Sequence, residues 1–229
     1  VIPNARWSGI RQYNTHPYAA CLVAATIKDK YEVEILDTNL KNHSLDYTID
    51  KIKETAPDLI GLSSMSIEYS QSSHKLTALI KKELPEITIV MGGAYPTLLP
   101  EVVFKDKNID YLVLAEGEIR FPKLLDSLNN GLDTDKLDGI ASRKNDKPII
   151  NAPIGYENDL DKIPYPAYEL VNYEDYSTKN NQYSLYNNPR YLPYGVTITS
   201  RGCPFKCVFC SSKDIMGRTV RNRSAENVL

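Results

Sequence analysis

Long apolar runs and net charge are both scarce in this sequence. The longest uninterrupted apolar segments, such as residues 19–25, fall far short of the ~20 residues that a membrane-spanning helix needs. No signal-peptide pattern follows Val1, and the formal net charge of -2 gives no reason to expect a nucleic acid as a partner. With 229 residues, of which 42% are hydrophobic, the chain has the composition of an ordinary globular protein of one or two domains.

Cysteine is also rare, and its distribution is uneven. Cys21 stands alone on an apolar helical face, which is typical of a core residue, whereas Cys203, Cys207 and Cys210 follow one another within eight residues. A disulfide framework would spread its cysteines, so this pattern favours metal ligation in a reducing compartment. Three thiolates spaced C-x3-C-x2-C can bind three irons of a cubane cluster, and the lack of a fourth ligand nearby leaves one iron open for chemistry.

Two other uses of these cysteines stay open. A structural zinc site usually combines two pairs of ligands, and the second pair is missing here, because the only histidines (His16, His43 and His74) lie far upstream. A redox pair formed by Cys207 and Cys210 would leave Cys203 unexplained. Residues 190–229 carry seven basic and two acidic residues, which indicates either a solvated face or a basic rim near an anionic cofactor.

The first 145 residues alternate short apolar runs with amphipathic stretches. The pattern predicts a doubly wound α/β domain with a parallel sheet and right-handed crossovers. Residues 1–2 are expected to be the tail of a further strand. The predicted strands are 33–37, 58–63, 87–91 and 110–114, and the predicted helices are 17–28, 45–55, 70–84 and 118–128.

A different organisation follows. Residues 138–143 and 147–151 predict a hairpin around Asn145 and Asp146. Residues 152–194 are rich in proline and tyrosine and are expected either to wrap over a surface or to form a partly ordered linker. Residues 195–199 predict one more strand, which leads into the cysteines. The predicted units are therefore 1–145 (α/β domain), 146–193 (linker with hairpin and Tyr-rich wrap) and 194–229 (cysteine segment).

The segment 195–211 resembles the first strand and cluster loop of the radical S-adenosylmethionine (SAM) superfamily, with Phe209 at the aromatic position of its C-x3-C-x-aromatic-C motif. The resemblance implies a [4Fe–4S] cluster on Cys203, Cys207 and Cys210, whose open iron chelates SAM before reductive cleavage to a 5′-deoxyadenosyl radical. It also implies that Phe209 packs near the adenine; the alternative is a core residue of a barrel.

The upstream half resembles the cobalamin-binding domain that precedes the radical domain in one subfamily. The resemblance implies a Rossmann-like fold followed by a linker and the start of a radical-SAM β/α barrel. The matching segments follow predicted strand ends, where doubly wound sheets bind ligands. The cofactor-binding candidates are Ser63, Ser64, Met65, Gly92, Gly93, Ala94, Tyr95, Gly117 and Glu118, with Pro96, Thr97 and Glu116 beside them.

One departure concerns the cobalt ligand. Cobalamin domains of the mutase type carry an Asp-x-His-x-x-Gly loop, and none of the three histidines has that context. The resemblance therefore implies cobalamin bound without a protein histidine on cobalt, or a domain that has lost cobalamin.

The expected function is that of a cobalamin-dependent radical SAM enzyme that transfers a methyl group to an unreactive carbon, with cyclisation or another radical rearrangement as the second candidate. Two rivals are a non-catalytic cobalamin or nucleotide-binding module with a structural metal site, and a radical enzyme whose empty α/β domain serves protein contacts. A small molecule or peptide as substrate, a flavodoxin or ferredoxin as reductant, and a cytoplasmic, anaerobic setting are expected, with no nucleic acid and no membrane.

The length of the cysteine segment carries a further expectation. Only 19 residues follow Cys210, whereas a complete barrel needs on the order of 200 residues. The sequence is therefore expected to be a fragment that ends early in the radical domain and is not a competent enzyme by itself.

Overall fold

A computed structural model describes residues 1–10, 15–176 and 195–229 and places a five-stranded mixed sheet at the centre of the fold. The strands lie in chain order across the sheet. The first three are parallel to one another, the fourth is antiparallel to the third, and the fifth is antiparallel to the fourth. The predicted doubly wound α/β fold is confirmed, with an antiparallel hairpin at one edge. The strands are β1 (Leu59–Ser63), β2 (Thr88–Gly92), β3 (Tyr111–Val113), β4 (Ile140–Lys144) and β5 (Lys147–Ile150).

The N-terminal residues continue the sheet beyond β1. The Val1 carbonyl accepts from the Ser63 amide (3.0 Å), and Ile2 forms a parallel bridge with Asp37. Val1 and Ile2 thus lie between β1 and Asp37, so the order of segments reverses at this point, as it does at the ligand-binding edge of open α/β sheets. The predicted strand 33–37 is wrong in extent, because only Asp37 has a ladder partner and the preceding residues stay irregular.

Helices cover both faces of the sheet, and the four predicted ones form. Ser44 begins the second by accepting a hydrogen bond from the Tyr47 amide (3.1 Å), as N-cap serines do. The first ends at Ala25, three residues earlier than predicted. The helices of this region are α1 (Tyr18–Ala25), α2 (Leu45–Thr55), α3 (Ser70–Glu83), α4 (Ala94–Leu98), α5 (Pro100–Val103) and α6 (Gly117–Asn129).

Alternate residues of the strands separate two apolar layers. Ile89 and Met91 of β2 face a cluster that includes Leu76 of α3, whereas Val90 faces a second cluster with Leu124 of α6. This two-residue alternation is what a sheet covered on both sides requires. It fixes α2 and α3 on one face and α6, with α1 beside it, on the other.

The hairpin belongs to the sheet. Asn145 (φ 52°) and Asp146 (φ 61°) form its turn with two positive φ angles, the geometry of a type I′ turn, and β4 pairs with β3. The predicted hairpin is confirmed. The predicted unit boundary at 145/146 separates β4 from β5, which the backbone ladder joins, so the sheet continues to Ile150; the remaining boundaries stay a prediction.

The described part of the tyrosine-rich stretch packs over α1. Leu160 and Ile163 contact Leu22, and the Ala167 amide donates to the Cys21 carbonyl (2.9 Å). Residues 160–167 therefore pack against α1, whereas residues 177–194 lie outside the described chain, and the tyrosine-rich wrap as a whole stays a prediction. Short 3-10 helices run over Leu160–Lys162, Tyr168–Leu170 and Tyr173–Tyr176, and another near the N-terminus over Ala5–Ser8.

The cysteine segment forms a small two-stranded unit. The predicted strand 195–199 is wrong: the strand is confined to Ser200–Arg201, because a strand needs a partner and only two residues downstream pair with it. In the parts of the chain that the structure describes, no helix is both long and apolar enough to cross a membrane. The elements here are β6 (Ser200–Arg201), α7 (Ser212–Met216), β7 (Arg221–Asn222) and α8 (Ala225–Val228).

Candidate functional site

The predicted binding segments meet at the carboxyl edge of the sheet. Ser63 lies opposite Gly92, and Gly92 opposite Val113, in the parallel register. The Ser64 amide donates to the Gly92 carbonyl (2.8 Å), and the Tyr95 amide donates to the Ser64 carbonyl (3.1 Å). The loops after β1 and β2 therefore hold each other in place at the edge where ligands of such folds bind.

Gly93 is required at this edge by geometry. Its φ of +109° lies in a region that L side chains avoid, and a Cβ would come within 3.0 Å of the carbonyl group of Ser64. Thr97 adds a bridge to the third loop, since its hydroxyl donates to the Gly93 carbonyl (2.7 Å) and accepts from the Ala115 amide (2.8 Å). Three successive strand ends are thus connected through one short segment.

A pocket of about 240 Å³ opens on this edge. Met65 and Tyr95, both predicted cofactor residues, lie in its wall together with Ser211, which directly follows Cys210. The pocket therefore joins the carboxyl edge of the sheet to the cysteine segment. Its lining residues are Met65, Ser66, Ile67, Ala94, Tyr95, Leu98, Leu99 and Ser211.

The other predicted cofactor residues shape the surroundings of the pocket. Ser64 is buried, and the Ser73 hydroxyl of α3 donates to its Oγ (3.2 Å). Gly117 lets α6 approach α1, because a Cβ there would lie 3.2 Å from Val23 Cγ2. The Glu118 carboxylate is paired with Arg201. The assignment of cobalamin contacts to these residues stays a prediction.

His74 connects to the pocket wall through a hydrogen-bonded chain. Its Nδ1 lies 2.7 Å from Asp106 Oδ2, and its Nε2 lies 3.1 Å from the Tyr95 hydroxyl. Both ring nitrogens of His74 are therefore hydrogen-bonded, one to the carboxylate and the other to the tyrosine hydroxyl. Sequence reasoning missed this chain, because its members are 21 and 32 residues apart and no local pattern relates them.

The other two histidines are engaged elsewhere. His16 is buried against the rings of Tyr173 (4.5 Å) and Tyr176 (5.3 Å), and burial lowers the pKa of its imidazole. His43 stacks on Tyr47 at 4.1 Å. Both therefore have structural contacts away from the pocket, as the sequence context predicted.

The Asp106 carboxyl makes the stability of the fold depend on pH. Burial raises the pKa of its carboxyl, but hydrogen bonds from His74, Asn108 and Thr77 outweigh burial and lower the pKa to about 2. A depressed pKa stabilises the fold above the unfolded value of about 3.9, and this stability is lost as the pH falls towards 2. At roughly 1.4 kcal/mol per pKa unit, Asp106→Asn should lower the free energy of unfolding by about 2 kcal/mol at pH 7.

The measurement is urea unfolding of wild type and Asp106→Asn from pH 7 to pH 2. The difference between them should shrink below pH 4. Asp50→Asn, which alters an exposed carboxyl on α2, serves as the control. A difference that stays constant over the whole range would contradict the assignment.

The cysteine loop is held at its ends and open at its tip. The Cys203 amide donates to the Gly217 carbonyl (3.0 Å), and the Cys210 amide donates to the Cys207 carbonyl (3.2 Å). A hydrogen bond with Ser212 (3.2 Å) lowers the pKa of the Cys210 thiol. Phe209 is 90% exposed, so it is not a core residue of the described chain, and its contact with adenine stays a prediction.

The donors of the loop fit a cluster in their chemistry. All three cysteines are free thiols, and Cys207 is exposed. Within residues 1–10, 15–176 and 195–229, no three His, Cys, Asp or Glu side chains lie close enough to hold a single metal ion. A cubane differs from a single ion in that each thiolate binds a different iron.

Comparison with known proteins agrees with this architecture. Residues 10–125 match the B12 binding domain, so the chain belongs to the B12-binding domain family. An uncharacterized methyltransferase of Pyrococcus horikoshii is 28% identical over 93% of the chain, which spans 44% of that relative. An anaerobic magnesium-protoporphyrin IX monomethyl ester cyclase of Synechocystis is 28% identical over 82% of the chain, which spans 36% of that relative.

A solved structure shares the fold. The radical SAM methyltransferase TsrM from Kitasatospora setae, with cobalamin and a [4Fe–4S] cluster bound, matches 99% of the chain with a TM-score of 0.68 at 19% identity. The chain spans 43% of TsrM, and thus less than half the length of each of these three proteins. The family match thus establishes the B12-binding domain, and the likeness to TsrM shows that the chain shares its fold with part of that protein.

Proposed function

We propose that this chain is the cobalamin-binding part and the cluster loop of a cobalamin-dependent radical SAM methyltransferase. The observation that carries the proposal is the pocket whose wall includes both the carboxyl edge of the B12-binding fold and Ser211, the neighbour of Cys210. Cofactors placed on either side of this pocket would be close enough to serve one reaction.

Different residues of the chain would hold the two cofactors. The thiolates of Cys203, Cys207 and Cys210 hold a [4Fe–4S] cluster and leave one iron open. The apolar side chains of Met65 and Ile67, which are 50% and 60% exposed, would be covered by a cobalamin ring. When bound, the cluster supplies one electron for the cleavage of SAM, and cobalamin carries the methyl group.

Among the residues that the structure describes, no histidine lines the pocket. The proposed cobalamin site therefore offers no imidazole as a ligand. His74 instead forms a hydrogen bond with the Tyr95 hydroxyl (3.1 Å) and so fixes the orientation of the tyrosine ring in the pocket wall. The proposal is therefore that cobalamin binds here without a protein histidine on cobalt.

Methyl transfer to an unreactive carbon is the reaction proposed for the whole protein, because relatives are named as methyltransferases. Cyclisation is the second candidate, since a cyclase is among the relatives at a similar identity. Product analysis separates the two, because only the first adds a one-carbon group to the substrate.

The first test is anaerobic reconstitution, with iron and sulfide, of the full-length protein that contains this chain, followed by electron paramagnetic resonance of the reduced protein with and without SAM. We expect about four irons per chain and a [4Fe–4S]⁺ signal that shifts when SAM is added, because SAM binds the open iron. Aquacobalamin added separately should bind with a change in its visible absorbance. A cluster indifferent to SAM would refute the radical mechanism, and unchanged cobalamin absorbance would refute the proposed cobalamin site.

A further inference from the structure

Four buried charged side chains connect the B12-binding fold to the cysteine segment. Glu116 precedes α6 and Glu118 lies in its first turn, while Arg201 and Arg221 lie on the paired strands β6 and β7. Each of the four side chains is at most 7% exposed. The two carboxylates and two guanidinium groups balance, which is the condition under which buried charges are tolerated.

The contacts within this ion-pair cluster are specific. Arg221 binds Glu116 in bidentate fashion, with Nη2 to Oε1 at 2.7 Å and Nη1 to Oε2 at 3.1 Å. Arg201 Nη1 lies 3.1 Å from Glu116 Oε1 and also contacts Glu118. Glu116 is therefore shared by both arginines, and its loss would leave Arg221 without a carboxylate partner within the cluster.

The same arginines hold the two ends of the cysteine loop. Arg201 lies two residues before Cys203, and Arg221 Nη2 donates to the carbonyl of Met216, the last residue of α7 (2.7 Å). The next carbonyl, that of Gly217, accepts from the Cys203 amide (3.0 Å). A continuous path of hydrogen bonds and ion pairs thus runs from the carboxyl edge of the sheet to the first cysteine.

The backbone around this path has little freedom. Gly202 has a φ of +89°, and a Cβ at this position would come within 3.0 Å of the Thr219 carbonyl. The side chain of Tyr156 lies against the other end, with its ring centroid 5.1 Å from Arg221 Cζ. Its Cε2 lies 3.0 Å from the position of a Cβ on Gly217, which is closer than ordinary van der Waals contact. Close packing on both sides means that a displacement of Arg221 is transmitted to the loop.

We infer that Glu116, Glu118, Arg201 and Arg221 are positioning residues that fix the cysteine loop relative to the carboxyl edge of the sheet. These four residues would thereby set the distance between the [4Fe–4S] cluster on the cysteine loop and the cobalamin at the carboxyl edge of the sheet. That second role rests on the proposed function, whereas the mechanical connection does not.

The connection is tested by amide hydrogen exchange of the cofactor-free chain with Glu116→Gln. Loss of the carboxylate should accelerate exchange of residues 200–203 and 217–223 on the order of tenfold, while β1 and β2 keep their protection. Arg221→Lys, which keeps the charge but loses the bidentate geometry, should give a smaller acceleration at the same amides. Glu83→Gln, which breaks an exposed ion pair with Lys53, is the matched control and should change neither region.

Two results would overturn the connection: loop exchange that Glu116→Gln leaves unchanged, or acceleration that is uniform across the sheet, which would indicate a general loss of stability. Arg221→Lys guards against the first variant simply failing to fold. The exchange measurement needs no cofactor, so it decides the mechanical role whatever the chain binds.

The spacing role is tested by pulsed dipolar resonance between the reduced cluster and cob(II)alamin. Glu116→Gln should broaden the distribution of distances while iron content and cobalamin affinity stay within about twofold of wild type, because no ligand is removed. An unchanged, narrow distribution would refute the spacing role. A wild-type chain that takes up neither cofactor would refute the proposed function, and the spacing role with it.

Discussion

Replacing Gly93 by alanine is expected to lower the free energy of unfolding by about 3 kcal/mol, since backbone strain and overpacking each cost of order 1–3 kcal/mol. The new Cβ would meet the carbonyl group of Ser64 at a φ of +109°. That carbonyl cannot move freely, because it accepts from the Tyr95 amide (3.1 Å) while the Ser64 amide donates to Gly92 (2.8 Å). Displacement of these loops should also weaken aquacobalamin binding at the pocket.

Gly131→Ala is the matched control for this substitution. Gly131 also has a positive φ of +62°, but nothing lies within 4 Å of a Cβ at that position. Gly131→Ala should therefore lower the free energy of unfolding only by the roughly 1–2 kcal/mol that a left-handed backbone conformation costs a residue with a Cβ. Cobalamin binding should stay unchanged. Urea unfolding and cobalamin titration of both variants provide the measurement; equal losses from the two would show that the approach to Ser64 is unimportant.

The success of the sequence in predicting the fold and its partial failure have the same origin. The runs that became β1 and β2 are short and apolar and are followed by Ser or Gly, so both the strands and the position of their carboxyl ends were predictable. Residues 33–37 are also a short and mostly apolar run, and Val33 and Ile35 pack against Ala24 and Ala25. Of these residues only Asp37 has a bridge partner, Ile2, so the sequence pattern indicated the position of the segment but not the extent of its pairing.

The candidate site divides in a similar way. Gly93 and the cysteine loop were predictable, because each is a local pattern with a local physical cause. The ion pair between Glu116 and Arg221 could not be predicted from the sequence, because the two residues are 105 positions apart. The excess of basic residues near the C-terminus indicated a solvated face or a cofactor rim, yet Arg201 and Arg221 are buried in ion pairs. Composition gives the sign of a charge but not its partner.

Alanine at any one of Cys203, Cys207 or Cys210 is expected to reduce the iron bound after anaerobic reconstitution to below about a tenth of the wild-type amount. The physical reason is that each thiolate binds a different iron, so two remaining cysteines leave two irons open and the cluster unprotected. Iron and acid-labile sulfide assays, read beside the resonance signal of the reduced protein, provide the measurement. Stoichiometric zinc in place of iron in the wild type would instead support the structural zinc alternative.

Cys21→Ala is the control that separates ligation from a general effect of losing a thiol. Cys21 is fully buried, and burial raises the pKa of its thiol to about 12, so it stays protonated and does not act as a ligand. Its replacement should leave iron binding unchanged while lowering stability by roughly 1 kcal/mol. Cys207 has the opposite character: its side chain is exposed, so Cys207→Ala should leave the unfolding transition of the cofactor-free chain unchanged while iron is lost. We expect Cys207→Ala to lose iron but keep its stability, and Cys21→Ala to lose stability but keep its iron. This combination would identify the loop cysteines as ligands rather than as structural residues.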